Sequence, residues 1–183
     1  MNHSKEIELI RNCIRNDRKA QQVLYERFAD RMYRVGFRYI HGDSDTEDVI
    51  IISFNKVFSK LRTFSYQGVG SLEAWIRKIV VNESLMWLRS RHNFNLTENV
   101  DETVEEPDLT PIRDLSADDI YKMVAELPTG YRTVFNLNVI EGYHHQEIAA
   151  MLGISEGTSR SQLFKAKVIL KKILTREGFF YGT

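Results

Sequence analysis

Along most of this chain apolar residues recur at intervals of three and four rather than two, the spacing of helices that bury one face. In the first half, Ile7, Ile10, Cys13 and Ile14 predict a helix over about 4–15. The series Val23, Leu24, Phe28, Met32, Val35 and Tyr39 predicts a second helix, with Asp17 as its N-cap. Gly42 and the cluster Asp43, Ser44 and Asp45 are expected to stop it. A third helix over roughly 46–60 opens on Glu47 and Asp48, whose carboxylates favour the positive end of a helix, and sets Val49, Ile52, Lys56 and Ser59 on neighbouring faces. Beyond the loop FSYQGVG, Ser71 is expected to cap a fourth helix reaching about Arg91, with Leu72, Trp75, Ile76, Ile79, Val80, Leu85 and Leu88 on its apolar side.

The pattern breaks from Asn93 to about Ala117, where apolar residues thin out, Pro107 and Pro111 appear and acidic side chains dominate. Helical spacing resumes after Ser116-Ala117-Asp118-Asp119, which resembles a capping box with Asp in the place of Glu or Gln. A short helix to about Leu127 follows. Pro128 then separates it from one carrying Tyr131, Val134, Phe135, Leu137 and Val139, closed by Gly142. Two more helices complete an all-α chain of two small helical domains, 1–92 and 118–183, joined by an acidic linker over 93–117.

Charge sharpens this division. The chain of 183 residues has a formal net charge of zero, but residues 1–92 hold 16 basic against 11 acidic side chains, 93–119 hold 1 against 9, and 120–183 hold 8 against 5. Two basic blocks around an acidic strip is the arrangement expected of two nucleic-acid-binding units joined by a segment that avoids their ligand. Cys13 is the single cysteine, so no internal disulfide is expected, and its place in an apolar series reads as a small core residue. The start, MNHSKEIELIRN, lacks the apolar stretch of a signal peptide, and the longest aliphatic run, Val49 to Ile52, is too short to cross a bilayer. A cytoplasmic protein without membrane insertion is expected.

The segment HHQEIAAMLGISEGTSRSQLFKAKVILKKIL carries the strongest local signal. Ile148, Ala149 and Leu152 form the buried side of a short helix, Gly153 permits a tight turn, and Ser155 caps the next helix: the spacing of a helix-turn-helix. Arg160, Ser161, Phe164, Lys165 and Lys167 then lie on an outer face, while Leu163, Ala166 and Leu170 face inward. Six cationic side chains and no acidic one fall between Arg160 and Arg176. Each phosphate they neutralise steepens the salt dependence of binding by roughly 0.9, and Arg160 has the fork geometry to read guanine. A solvated basic helix is the plainer alternative, but the glycine turn and the cap in register favour DNA.

The stretch LPTGYRTVFNLNVIEGYHHQEIAAMLGISEGTSRSQLFKAKVIL resembles region 4 of extracytoplasmic-function (ECF) sigma factors over nearly its whole length. The resemblance implies binding to the minus-thirty-five promoter element through Arg160, Ser161, Phe164, Lys165 and Lys167. Ser159, where Val is frequent, and Gln162, where Arg is frequent, depart from the pattern, and Gln162 is expected to cost one phosphate or base contact. The first block is similar to region 2 in LYERFADRMYRVGFRYI, DTEDVIIISFNKVFSKLRTF and GSLEAWIRKIVVNESLMWLRSR. That likeness implies a grip on the polymerase clamp by the third helix, at Asp48, Ile51 and Ile52. Ile51 stands where Gln is usual and Ile52 where Glu is frequent, and Ile51 reads either as an exposed apolar contact or as core. It also implies opening of the minus-ten element, with Asn82 at a position used there. Reading an unstacked base needs polar groups and cationic or aromatic surface, which Tyr66, Lys78, Asn82 and Arg89 supply. Trp75 and Trp87, at helical spacing among Ile and Leu, read as core.

A member of this family is expected to have no catalytic residues and no cofactor, and to work with core RNA polymerase, promoter DNA and an anti-sigma factor. The rival reading is a stand-alone regulator whose helix-turn-helix acts as a dimer on a two-fold symmetric site. An enzyme finds little support: the chain shows no P-loop, no dinucleotide fingerprint and no nucleophile in a recognisable setting. His144 and Glu147 have metal-ligand spacing on one helix face, but no second His or Cys cluster accompanies them, and both read as solvent-facing. If the acidic strip follows a basic channel on the polymerase, reversing Glu105, Glu106 and Asp108 to Lys should impair initiation with core enzyme more than DNA binding by the C-terminal block, compared by run-off transcription and fluorescence anisotropy; equal losses would refute it.

Overall fold

Helix α1 (His3–Ile14) passes into α2 (Arg18–Ile40) through Asn16, whose backbone is left-handed, and Asp17, whose carboxylate accepts from the amides of Lys19 and Ala20 at 2.8 and 3.2 Å. This is the first of eight α-helices among the residues that the computed structural model describes, 3–91 and 116–178. Two compact units contain them, Met1–His92 and Asn93–Thr183. Most of the expected linker, 93–115, lies outside the described residues.

α2 ends at Ile40, with His41 as its C-cap, and α3 (Asp43–Lys60) begins two residues after that cap. The Asp43-Ser44-Asp45 cluster, expected to be a stop, is instead the first turn of α3. Two carboxylates there suit the amide-rich end of the helix, and the Thr46 hydroxyl donates to the Gly42 carbonyl at 2.6 Å. So short a link forces α2 and α3 into an antiparallel pair. Gly36 sits at their close approach, where a Cβ would stand 3.3 Å from Thr46 Cγ2 and 3.6 Å from Ile50 Cδ1. A mid-helix glycine costs about 0.5–1 kcal/mol relative to alanine, and here the lost side chain lets the helices meet.

A 3₁₀ turn, Leu61–Thr63, and a loop lead to α4 (Ser71–Arg91). Ser71 does not cap α4. Its hydroxyl donates to the Gly68 carbonyl at 2.6 Å and accepts from the Gln67 amide at 3.2 Å, so it closes the loop instead. The core of the unit is filled by Leu24, Phe28, Met32 and Tyr39 of α2, Val49, Phe54 and Val57 of α3, and Leu72, Ile76, Val80 and Leu88 of α4. At about 1.5–3 kcal/mol for each large apolar side chain buried, this set outweighs any ion pair at the surface. Cys13 is buried as expected, and burial pushes its thiol up to about 11, leaving an inert core group. Val23, in register with the α2 series, points outward.

In the second unit α5 (Ala117–Ala125) is capped by Ser116, whose hydroxyl accepts from the Asp119 amide at 3.2 Å and donates to the Asp119 carboxylate at 2.6 Å. In this variant of the capping box the carboxylate meets the cap's hydroxyl rather than its amide. Arg132 of α6 (Thr129–Phe135) reaches back to the carbonyls of Ala125 and Leu127 at 3.2 and 3.0 Å, closing α5 from the side. α6 does not run straight to Gly142. Over Asn136–Ile140 it widens into a π turn, in which the Glu141 amide donates to the Asn136 carbonyl, and Val139 is left exposed. α7 (His145–Leu152) and α8 (Glu156–Arg176) follow, α8 forming the spine against which α5, α6 and α7 pack.

Polar contacts join α3 to α4 at two points: Arg91 Nη2 lies 3.3 Å from Asp45 Oδ1 near the surface, and Lys56 Nζ donates to Glu83 Oε1 at 2.6 Å, with the carboxylate buried and the ammonium partly exposed. Glu83→Ala is expected to cost about 1–3 kcal/mol, near the lower end because Lys56 reaches solvent. Replacing both partners with Met and Leu should recover most of that loss. Urea unfolding of the wild type and the two variants checks both outcomes.

Candidate nucleic-acid interface

α7 ends at Gly153, whose left-handed φ of 70° turns the chain, and Ser155 opens α8 by accepting from the Thr158 amide at 2.9 Å. Ile148, Leu152, Leu163, Ala166 and Leu170 close the seam between the two helices. That packing sets the rotation of α8. Arg160 is exposed, and Ser161, Phe164, Lys165 and Lys167 are half-exposed. Arg160, Phe164, Lys167 and Lys171 lie at i, i+4, i+7 and i+11, one stripe along the outer face. All five residues expected to meet DNA therefore reach the surface of α8.

Arg160 is paired within its own helix to Glu156, both side chains largely exposed. An exposed pair at this spacing contributes about 0.3–0.5 kcal/mol, which a phosphate or a guanine edge readily exceeds. Arg160 is thus held pointing outward at little cost to its release. Gln162 contradicts its expected role. It is 2 % exposed and lies on the packed side of α8, so its departure from Arg removes no DNA contact.

The other departure, Ser159, exposes a feature that helical spacing alone does not show. Ser159 is completely buried, and its hydroxyl lies 2.8 Å from His145 Nδ1, at the first position of α7. A hydrogen bond thereby joins the first turns of both helices of the motif, one residue before Arg160. Burial, then the nearby Arg160 guanidinium, hold the His145 imidazole below its ordinary value. The only sequence signal was the doublet His144-His145 ahead of α7. His144 is the N-cap, and its amide donates to Glu147 Oε2 at 2.8 Å, so the pair with metal-ligand spacing serves a helix start. No metal-binding cluster of three or more groups occurs among the described residues.

In the first unit Lys78, Asn82 and Arg89 are all exposed on α4, at i, i+4 and i+11 on one stripe. Tyr66, the fourth residue expected there, is half-buried in the preceding loop and donates its hydroxyl to Glu6 at 3.1 Å. Trp75 and Trp87 are not core. Neither is buried, Trp75 tilting against Phe64 with centroids 5.1 Å apart and Trp87 lying under the Arg91 guanidinium at 5.3 Å. On α3, Asp48, Ile51 and Ile52 expose their side chains differently from the core series, Ile51 being 54 % exposed and Ile52 48 %. That decides between the two readings of Ile51, and it leaves two adjacent aliphatic side chains in water.

The His145–Ser159 bond predicts a pH effect. Because the folded protein holds His145 below 6.5, the unfolded chain takes up a proton first as pH falls, and the second unit should lose stability from about pH 6.5 downward. His145→Asn, whose amide can reach the place of Nδ1 without titrating, should flatten that fall. Hydrogen-exchange protection of α7 and α8, compared between the two proteins from pH 7.5 to pH 5, reports it.

Comparison with known proteins matches this arrangement to one family. The model for sigma-70 region 2 matches residues 24–94 and that for sigma-70 region 4 matches 117–170, together about two thirds of the chain. An ECF sigma factor, SigE of Mycolicibacterium smegmatis, is 28% identical over 165 residues, 85% of this chain and 62% of that longer relative. The sigma-H factor of Pseudomonas aeruginosa is 23% identical over 91% of this chain and 92% of its own length. SigV of Bacillus subtilis is 26% identical over 79% and 85%. Among solved structures, CnrH in complex with the cytosolic domain of CnrY aligns over 92% of this chain and 96% of its own, with a TM-score of 0.50 and 20% identity. RpoE of Bartonella quintana, in complex with the anti-sigma factor NepR, aligns over 84% and 96% with the same score and 19% identity. These two likenesses concern the fold. With both region models in order along the chain and ECF factors among its relatives, the chain belongs to the sigma-70 family and, within it, to the extracytoplasmic-function class.

Proposed function

We propose that this protein binds core RNA polymerase and directs it to promoters, the second unit reading the minus-thirty-five element and the first reading and opening the minus-ten element. The observation that carries this reading is the presence of both sigma regions, with every residue expected on their surfaces except Tyr66 reaching the outer face of its helix. The family is one of initiation factors without catalysis of their own, and the polymerase forms the phosphodiester bonds. α8 enters the major groove with Arg160 on a base edge and Lys165 and Lys167 on phosphates, Ser161 and Phe164 completing the face. On α4, Lys78, Asn82 and Arg89 face the unpaired strand. The flanking Trp75 and Trp87 offer rings on which bases stack. Asp48, Ile51 and Ile52 dock on polymerase, burying apolar surface where a hydrogen bond is usual in the family.

An anti-sigma protein is the further partner we infer, in keeping with the NepR complex of the similar RpoE fold. No helix among the described residues is long and apolar enough to cross a membrane, which agrees with action in the cytoplasm beside the transcription machinery. The region 2 match speaks against a stand-alone dimeric regulator, which has no use for a polymerase-docking face.

In vitro transcription with purified core polymerase and a genomic template library tests the reading: new, sequence-specific start sites are expected when the protein is added. A symmetric footprint by the protein alone, with no new starts, would mark it as a dimeric regulator. On a promoter so identified, Arg160→Ala should weaken binding by about 1–3 kcal/mol and relax the preference at one base pair. Lys165→Ala with Lys167→Ala should reduce the slope of log affinity against log salt by about 0.9 for each phosphate that is no longer neutralised. Fluorescence anisotropy on duplexes carrying the minus-thirty-five element measures both.

A further inference from the structure

α1 lies outside the stretch matched by region 2, yet it reaches the loop ahead of α4 through a chain of directional contacts. Glu6 of α1 is 4 % exposed. Its Oε1 lies 3.2 Å from Arg27 Nη2 on α2, and its Oε2 accepts from the Tyr66 hydroxyl at 3.1 Å. The same hydroxyl lies 3.1 Å from His3 Nδ1, and the imidazole meets the phenol ring edge-on with centroids 5.0 Å apart. Tyr66 in turn stands edge-on to Phe64, and Phe64 tilts against Trp75 in the first turns of α4. The base of the loop is therefore gripped from α1 and α2 on one side and from α4 on the other.

Beyond Tyr66 the loop is tied on the α4 side by Ser71, which bonds the Gln67 amide and the Gly68 carbonyl, and on the other side by whatever holds Tyr66. Gly68 and Gly70 both have positive φ, 116° and 90°, with open space where a Cβ would be, and Val69 between them is 78 % exposed. Glycine leaves a tip wide conformational freedom, so its position is set by whatever anchors the residues beneath it. A buried carboxylate is a costly way to fill space that an aliphatic side chain would fill better. What it adds is direction: one oxygen faces Arg27 and the other fixes the phenol. The Tyr66 hydroxyl, with its proton directed to Glu6, has no donor left for a base edge.

From this geometry we propose that Glu6 is a positioning residue for the loop 67–70 that leads into α4: acting through Tyr66, it sets where that loop stands at the start of the helix whose Lys78 and Asn82 are proposed above to face the unpaired minus-ten strand. Discrimination among minus-ten bases then depends on α1, which acts through the loop and not by its own contact with DNA. The proposal rests on the initiation-factor reading above, and it recasts Tyr66 from a DNA contact to a strut.

The test uses holoenzyme assembled from core polymerase and full-length protein, with Glu6→Met, Glu6→Gln, Tyr66→Phe and the double variant Glu6→Met with Tyr66→Phe. The readout is the ratio of open-complex formation rates on a functional promoter and on the same promoter with one minus-ten base changed. Glu6→Met and Tyr66→Phe should each lower that ratio by about three- to tenfold. The double variant should lower it no further than either single one, and Glu6→Gln, which keeps an acceptor for the phenol, should restore most of it. Affinity for core polymerase and for the minus-thirty-five duplex should not change. A fall with Tyr66→Phe but none with Glu6→Met would make Tyr66 a direct DNA contact and overturn the proposal. So would additive losses, or a lowered melting temperature with the ratio intact. Tyr66→Phe keeps the rings in place, so if Glu6→Met fails to fold, an unchanged ratio with Tyr66→Phe still overturns the proposal. A wild-type holoenzyme that opens no promoter would overturn the initiation-factor reading, and this inference with it.

Discussion

In both units the face that each working helix shows to a partner is set by the apolar side chains on its other side. Burying Leu163, Ala166 and Leu170 rotates α8 so that Arg160, Phe164 and Lys167 point away from the protein. Burying Leu72, Ile76, Val80 and Leu88 does the same for Lys78, Asn82 and Arg89 on α4, and Val49, Phe54 and Val57 do it for Asp48, Ile51 and Ile52 on α3. A slip of one residue in any of these seams would turn a binding face through about 100°. The cores are thus what aligns the functional surfaces, and a partner meets side chains whose backbone is already in place.

Hydrophobic burial is strong but lacks direction, and at several points the protein adds a polar contact that has one. Lys56–Glu83 joins α3 to α4, Arg132 closes the end of α5, His145–Ser159 joins the two helices of the helix-turn-helix, and Glu6 ties α1 to α2 and to the loop before α4. Each involves a group that is costly to bury unless it is well partnered. The latter two stand next to surfaces proposed to meet promoter DNA, where a small displacement of the backbone matters most.

The electrostatics of α8, the helix proposed to read DNA, follow a related logic. Arg160 is held outward by Glu156, a weak exposed partner, whereas the nearby imidazole of His145 is kept neutral by burial and by Arg160 itself. Positive charge is concentrated on the outer face of α8, and the contact beneath it, which sets the geometry, does not depend on charge at neutral pH.

Much of this was legible in the amino-acid sequence. Period-3.6 spacing located eight helices, and the change of composition after residue 92 separated two blocks. Asp17, Ser155 and Gly153 marked helix ends by local chemistry that acts within a few residues. The outer face of α8 could also be read directly, because it is the complement of the Leu163, Ala166 and Leu170 stripe. Where periodicity was ambiguous, tertiary packing decided. Val23 and Val139 fit apolar series yet face water, Trp75 and Trp87 are surface rings, and Gln162 is buried on a helix where Arg is frequent in the family. The Asp43 cluster resembles a stop, but it begins a helix because α3 must fold straight back onto α2. Glu6 with Tyr66 and His145 with Ser159 are pairs separated along the chain and of types with many other uses, so no local pattern announces them. Which segments are helical, and which face of most of them is apolar, could be worked out from the order of residues alone, because both depend on neighbours three and four positions away. Which polar groups meet inside emerged from the folded packing, because that depends on which helices lie together and at what height.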